Sequence, residues 1–130
     1  MTSFLSGTIP MMNDGTAARQ RDIVLMPFPY SDLSQTKRRP ALILSTNSYN
    51  LHSEDVICCA VTSNPRQYHG SILIEPTDLE SGRLAYELLI KPNKVFTLHQ
   101  KNIIKALGRT SMTKGSEVVQ LLQHCIQMKE

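Results

Sequence analysis

The sequence predicts a mainly β domain with a C-terminal α-helix, an α+β arrangement in which one sheet rolls into a small barrel. Three observations carry that reading. Short apolar and β-branched runs recur between turn residues, an amphipathic run closes the chain, and no repeat or low-complexity linker divides it.

Residues 1–20, MTSFLSGTIPMMNDGTAARQ, lack a basic opening and an uninterrupted apolar stretch, so they read as a flexible N-terminal tail rather than a signal peptide. Met11 and Met12 are alternative starts within it. A single domain is expected over 21–130. Its first strand is Asp22–Phe28, DIVLMPF, ended by Pro27 and Pro29. A polar, basic loop follows and closes on Lys37-Arg38-Arg39-Pro40, after which Ala41–Thr46 resumes an aliphatic run. Pro40 holds Arg39 in extended geometry and forbids helix there, so the guanidinium is aimed by a strand entrance. Such an arginine suits phosphate recognition. Further strands are expected at Val56–Thr62, Ser71–Ile74, Leu88–Lys91, Lys94–Leu98 and Ile103–Leu107. In Ser116–Met128, Val118, Val119, Leu121, Leu122, Cys125 and Ile126 recur at helical intervals, while Gln120, Gln123 and Gln127 take the other side. This helix reads as a lid on the barrel, capped by Thr113 or Ser116.

Composition sets limits. The 130 residues fit one domain, and 41% hydrophobic content builds a core, to which dimerisation would add burial. A net charge of +3 permits an anionic partner without demanding one; what matters is the cluster Lys37, Arg38 and Arg39, with Arg66 further on. The bland reading of that cluster is a solvated loop. Cys58, Cys59 and Cys125 are an odd number without metal-ligand spacing, and adjacent strand residues face opposite ways, so they read as reduced thiols in a cytoplasmic protein. No metal site and no membrane span is expected.

The segment Arg21–Ser45, RDIVLMPFPYSDLSQTKRRPALILS, resembles the opening of the MazF/PemK family of toxin endoribonucleases, where an acidic-Ile-Val strand leads into a Pro-Phe-rich loop and then Arg-Pro with an apolar strand. DVICCAVTSN at Asp55–Asn64 is similar to the family's second apolar strand ending in Thr-Ser, and KVFTLHQKNIIKALGRTS at Lys94–Ser111 to its closing strands. The resemblance runs from Arg21 to Met128. It implies an SH3-like small β-barrel of the MazF/PemK/CcdB-like fold with a terminal helix. It further implies a cytoplasmic homodimer that cleaves single-stranded RNA without cofactor or metal, and a cognate antitoxin whose acidic, flexible tail covers the RNA groove.

Metal-free cleavage has the ribose 2′-hydroxyl attack the adjacent phosphorus, leaving a cyclic phosphate and a 5′-hydroxyl. A base, an acid and a fixed cation are then required. The resemblance gives Arg39 the cation's role, for which a planar fork gripping two phosphate oxygens is suited. An Arg39 paired with a local acid such as Asp32 is the competing reading. Thr62 matches the family's threonine and orients the phosphate, assisted by Ser63, although Thr-Ser before Asn-Pro is also a common turn cap. Lys37, Arg38, Tyr30, Arg66, His69, Lys91 and Asn93 complete the expected RNA-binding set. His69 is the histidine best placed to titrate beside a substrate, against the plainer reading of a solvated loop residue. Tyr30, Tyr49, Tyr68 and Tyr86 can stack bases, with Tyr30 and Tyr68 flanking the groove.

Two departures from the family stand out. Lys91 and Asn93 occupy positions where PemK-like members carry Arg and then an acid, and an Asn cannot shuttle a proton, so acid–base work falls to another group such as Arg39 itself. Arg21 stands where Gly is common, which costs turn freedom. Two alternatives stay open: a CcdB-like toxin that binds a topoisomerase without cutting RNA, and an interaction module whose basic loop docks an acidic peptide.

Overall fold

The computed structural model describes residues 11–12, 15–28, 37–64 and 70–129. Among these residues seven strands form one antiparallel sheet: β1 Asp22–Phe28, β2 Lys37–Ile43, β3 Asp55–Thr62, β4 Ile72–Ile74, β5 Leu79–Gly82, β6 Leu88–His99 and β7 Lys105–Thr110. Their spatial order is β4-β6-β3-β2-β1-β7-β5. The sheet curls into a half-barrel with β4 and β5 at its edges. Among the described residues two α-helices accompany it, α1 at Asn47–Leu51 and α2 at Met112–Ile126.

Curling buries both faces. On one face Val24, Met26, Ala41, Ile43, Val56, Cys58 and Leu98 pack with Ile103, Met12 and Ala18. On the other, Ile23, Leu42, Cys59, Val61, Ile72, Ile74 and Ile90 pack beneath Val118 of α2. Cys58 and Cys59 therefore enter different cores, as strand alternation requires. Burial pushes both thiols up to about 12.

The expected elements are present, with moved boundaries. β2 begins at Lys37 rather than Ala41, because pairing with β1 reaches back through Pro40–Leu25 and Arg39–Met26 to Lys37–Phe28. Pairing with β3 starts only at Ala41, so Pro40 loses no ladder bond on that side. β2 also stops short of Thr46, whose hydroxyl caps α1 by accepting from the Tyr49 amide. Leu88–Lys91 and Lys94–Leu98 are one strand, β6, in which Pro92, Asn93 and Lys94 bulge out between the pairs Ala60–Lys91 and Cys59–Val95. The last strand lies at Lys105–Thr110 rather than Ile103–Leu107; Ile103 is spent on the core just before it. α2 starts earlier than the apolar periodicity suggests, at Met112, because Ser111 rather than Thr113 or Ser116 accepts the Lys114 amide.

Two residues near the N-terminal end of the described chain are packed, although Met11, Gly15, Thr16 and Arg19 around them are exposed. Met12 is 6% exposed and Ala18 is 1% exposed. The Gln100 side-chain carbonyl accepts from the Ala18 amide at 3.0 Å, and the Asn50 side-chain amide donates to the Ala18 carbonyl at 3.1 Å. Gln100 Nε2 in turn donates to the Asn50 carbonyl at 2.7 Å and to the Ser53 carbonyl at 2.9 Å. Two buried amide side chains thus clasp a backbone that the sequence reads as tail.

Arg21 sits at φ 76°, in the left-handed region. Its Nη1 donates to the Thr110 carbonyl at 2.7 Å and to Glu80 Oε1 at 2.9 Å, and its amide donates to the Ile43 carbonyl at 2.9 Å. Nearby, Arg109 Nε donates to Asp22 Oδ1 at 2.9 Å. Burial nonetheless raises the Asp22 carboxyl above its ordinary value, the arginine opposing that shift.

Candidate functional site

Strand register decides which side chains can act together. Met26 lies opposite Arg39 and Val24 opposite Ala41. Ala41 faces Ala60 across β2 and β3. Ala60 faces Lys91, and Thr62 faces Leu89, across β3 and β6. Cross-strand partners share a face and alternate residues return to it, so Arg39, Thr62 and Lys91 rise from one face near one end of the sheet. Pairing between β2 and β3 ends at Ala41–Ala60, and Arg39 and Thr62 are the next residues on that face.

Exposure follows the same pattern. Lys37 and Arg39, two residues apart, are exposed on this face, while Lys91 is half-buried. Arg38 alternates to the opposite face, across from Pro27, so the basic triplet is divided between the two sides of the strand. Asn93 stands exposed on the β6 bulge. Tyr30, Arg66 and His69 lie outside the described residues, as does Asp32, the acid named as a competing partner for Arg39.

Thr62 closes β3, and its Oγ1 accepts the Asn64 amide at 3.1 Å. The turn-capping role foreseen for this hydroxyl is therefore occupied. It does not use up the group, because a hydroxyl has one proton to donate besides the lone pairs it offers. Ser63 is exposed and, with Asn64, forms one wall of a groove of about 390 Å³. Leu73 and Leu89 floor that groove, and Tyr86 and Glu87 form its other wall. Glu87 escaped the sequence reading, and Tyr86 entered it only as one of four tyrosines. The β3–β6 pairing, which sets Thr62 against Leu89, brings this segment, distant along the chain, beside Ser63 and Asn64.

Among the described residues no group of three or more His, Cys, Asp or Glu side chains is gathered to hold a metal ion. Among the same residues no helix is long and apolar enough to cross a membrane.

The family model of the PemK-like, MazF-like toxins of type II toxin–antitoxin systems matches residues 19–126. The chain belongs to this family. The MazF-like toxin also shares its fold with solved structures of low sequence identity. One is an endoribonuclease in complex with its cognate antitoxin from a mycobacterial species, 18% identical, covering 88% of this chain and 99% of that one at a TM-score of 0.69. Another is a MazE–MazF complex from Deinococcus radiodurans, 22% identical, covering 87% of this chain and 98% of that one at a TM-score of 0.69. A third, an endoribonuclease from a mycobacterial species, is 19% identical and covers 88% of this chain and 96% of its own at a TM-score of 0.66. No curated protein sequence matches the MazF-like toxin.

Proposed function

We propose that this toxin is a sequence-selective endoribonuclease that cuts single-stranded RNA by 2′-hydroxyl transesterification, without a metal, and so inhibits translation and growth. The observation that carries the reading is the strand register that sets Arg39, Thr62 and Lys91 on one face of the curled sheet. In the reaction the 2′-hydroxyl gives up its proton as its oxygen bonds to phosphorus, the bond to the 5′-oxygen breaks and that oxygen takes up a proton to leave as a 5′-hydroxyl, and charge accumulates on the non-bridging oxygens meanwhile. Arg39 grips two of these oxygens with its fork, and the Thr62 hydroxyl donates to one of them while its lone pair holds the Asn64 amide. Lys91 and Lys37 add positive charge to the same face and draw the RNA backbone along it. Ser63 assists at the groove's wall. The solved endoribonucleases that share this fold support the substrate class.

The toxin acts in the cytoplasm as a homodimer, and a cognate antitoxin neutralises it by laying an acidic segment over the cationic face. RNA and antitoxin then compete for the same charges.

Purified protein incubated with a long single-stranded RNA in EDTA tests the cleavage reading. Discrete cuts with 5′-hydroxyl ends are expected from the native protein and none from Arg39→Ala. Absence of cuts by folded native protein across varied RNAs would overturn it and bring forward the CcdB-like topoisomerase binder.

A further inference from the structure

The groove beside Thr62 has a chemistry unlike that of the cationic face it adjoins. Its floor is apolar, Leu73 and Leu89. Leu73 pairs with Leu89, and Leu89 with Thr62, so the floor continues the same face of the sheet two strands beyond Thr62. Adjacent strands lie about 4.8 Å apart, which sets the floor roughly 10 to 15 Å from Arg39, a span suited to the nucleotide next to the scissile phosphate. Tyr86, 60% exposed, stands at one wall with its ring available for contact. Glu87 follows it, and neither lysine nor arginine lines the groove among the described residues. A carboxylate at the wall disfavours a phosphate and disfavours an acidic antitoxin segment. It accepts hydrogen bonds from exocyclic amino groups, which unpaired nucleobases offer on their edges. An apolar floor, an exposed aromatic ring and edge-reading polar groups together describe a base pocket.

We propose that this groove is a nucleobase-recognition subsite, in which one unpaired base flanking the cleavage position stacks on Tyr86 and presents an amino-bearing edge to Glu87. The inference rests on the ribonuclease reading above and deepens it, assigning sequence selectivity to residues that take no part in the chemistry. Arg39 and Thr62 hold the phosphate; Tyr86 and Glu87 choose the base beside it.

The test uses the native protein, Tyr86→Ala, Tyr86→Phe and Glu87→Gln. Cleavage of a randomised single-stranded RNA pool is read by sequencing fragment ends. Binding is read separately by anisotropy on randomised single-stranded oligodeoxynucleotides, which lack the 2′-hydroxyl and cannot be cut by this route. Tyr86→Ala is expected to raise Kd about 5- to 150-fold and to blur the consensus at one flanking position, with Tyr86→Phe restoring both. Glu87→Gln is expected to change the base preferred at that position while cutting continues. Native protein that cuts, with Tyr86→Ala and Glu87→Gln both matching its consensus and its Kd within about twofold, overturns the subsite and leaves the ribonuclease reading standing. Binding that depends on Tyr86 without any RNA cleavage upholds a base-binding groove but overturns the ribonuclease reading, and with it the groove's role in choosing the base at a cut. Neither binding nor cleavage by the native protein overturns both.

Discussion

At the residue scale, one guanidinium and one hydroxyl carry the proposed chemistry, and their replacements separate charge from geometry. Arg39→Lys keeps the charge but loses the two-pronged grip on phosphate, so kcat/KM is expected to fall about 100-fold or more, a change that single-turnover cleavage assays will resolve. Thr62→Val removes the hydroxyl at nearly constant shape; Thr62→Ser restores it and should recover most of the rate. The buried thiols give a pH prediction. Cys58 and Cys59 are held up from 9.0 to about 12, so the folded chain keeps protons that the unfolded chain releases. Their contribution to stability is complete below pH 9 and is lost as pH rises toward 12. Urea titrations at pH 8 and pH 10 should show the midpoint falling at the higher pH, by less in a Cys58→Ala, Cys59→Ala double variant. Exposed Cys125 should react with iodoacetamide at pH 8, while the other two react only after unfolding.

At the element scale, close backbone contacts fix how β5 joins the sheet. Gly82 has φ 82°, and a Cβ there would lie 2.4 Å from the Gly108 Cα and 2.5 Å from the Leu107 carbonyl oxygen. No flexible side chain is available to yield, since both atoms are backbone. Gly82→Ala is expected to cost about 3 kcal/mol or to detach the edge strand, which hydrogen exchange at Leu79–Gly82 would report. Arg21 poses the opposite case, a non-glycine residue at φ 76°. Its side-chain bonds to Glu80 and the Thr110 carbonyl offset the backbone cost. Arg21→Ala keeps the strain and loses those bonds; Arg21→Gly loses the bonds but relieves the strain. The glycine variant should therefore be the more stable of the two by about 1 kcal/mol in urea denaturation.

At the scale of the whole molecule, the half-barrel is held shut on one face by α2 and on the other by the packed residues around Met12 and Ala18. The clasp of Gln100 and Asn50 connects that N-terminal stretch to α1 and to the turn just after β6. Gln100→Ala leaves the Ala18 amide and the Asn50 and Ser53 carbonyls without this partner. A loss of about 3 kcal/mol is expected, measured as a lowered urea midpoint with an unchanged slope.

The Arg-Pro and Thr-Ser pairs are local signals that named Arg39 and Thr62 as candidates, and most strands and the terminal helix were legible along the chain through alternation and proline placement. β5 was not, since LESG has little apolar content and pairs only because Gly82 and Gly108 approach closely. α1 hid in a single turn that needs its Thr46 cap and the buried Asn50 to exist. Nor did the sequence show that Arg38 faces away from Arg39, that Pro92–Lys94 is a bulge in one continuous strand, or that Tyr86 and Glu87 line one groove with Ser63 and Asn64. Local pattern tells which residues are extended and which alternate. Register and bulges, set by pairings between strands far apart in sequence, decide which residues share a face, and that choice belongs to the tertiary structure.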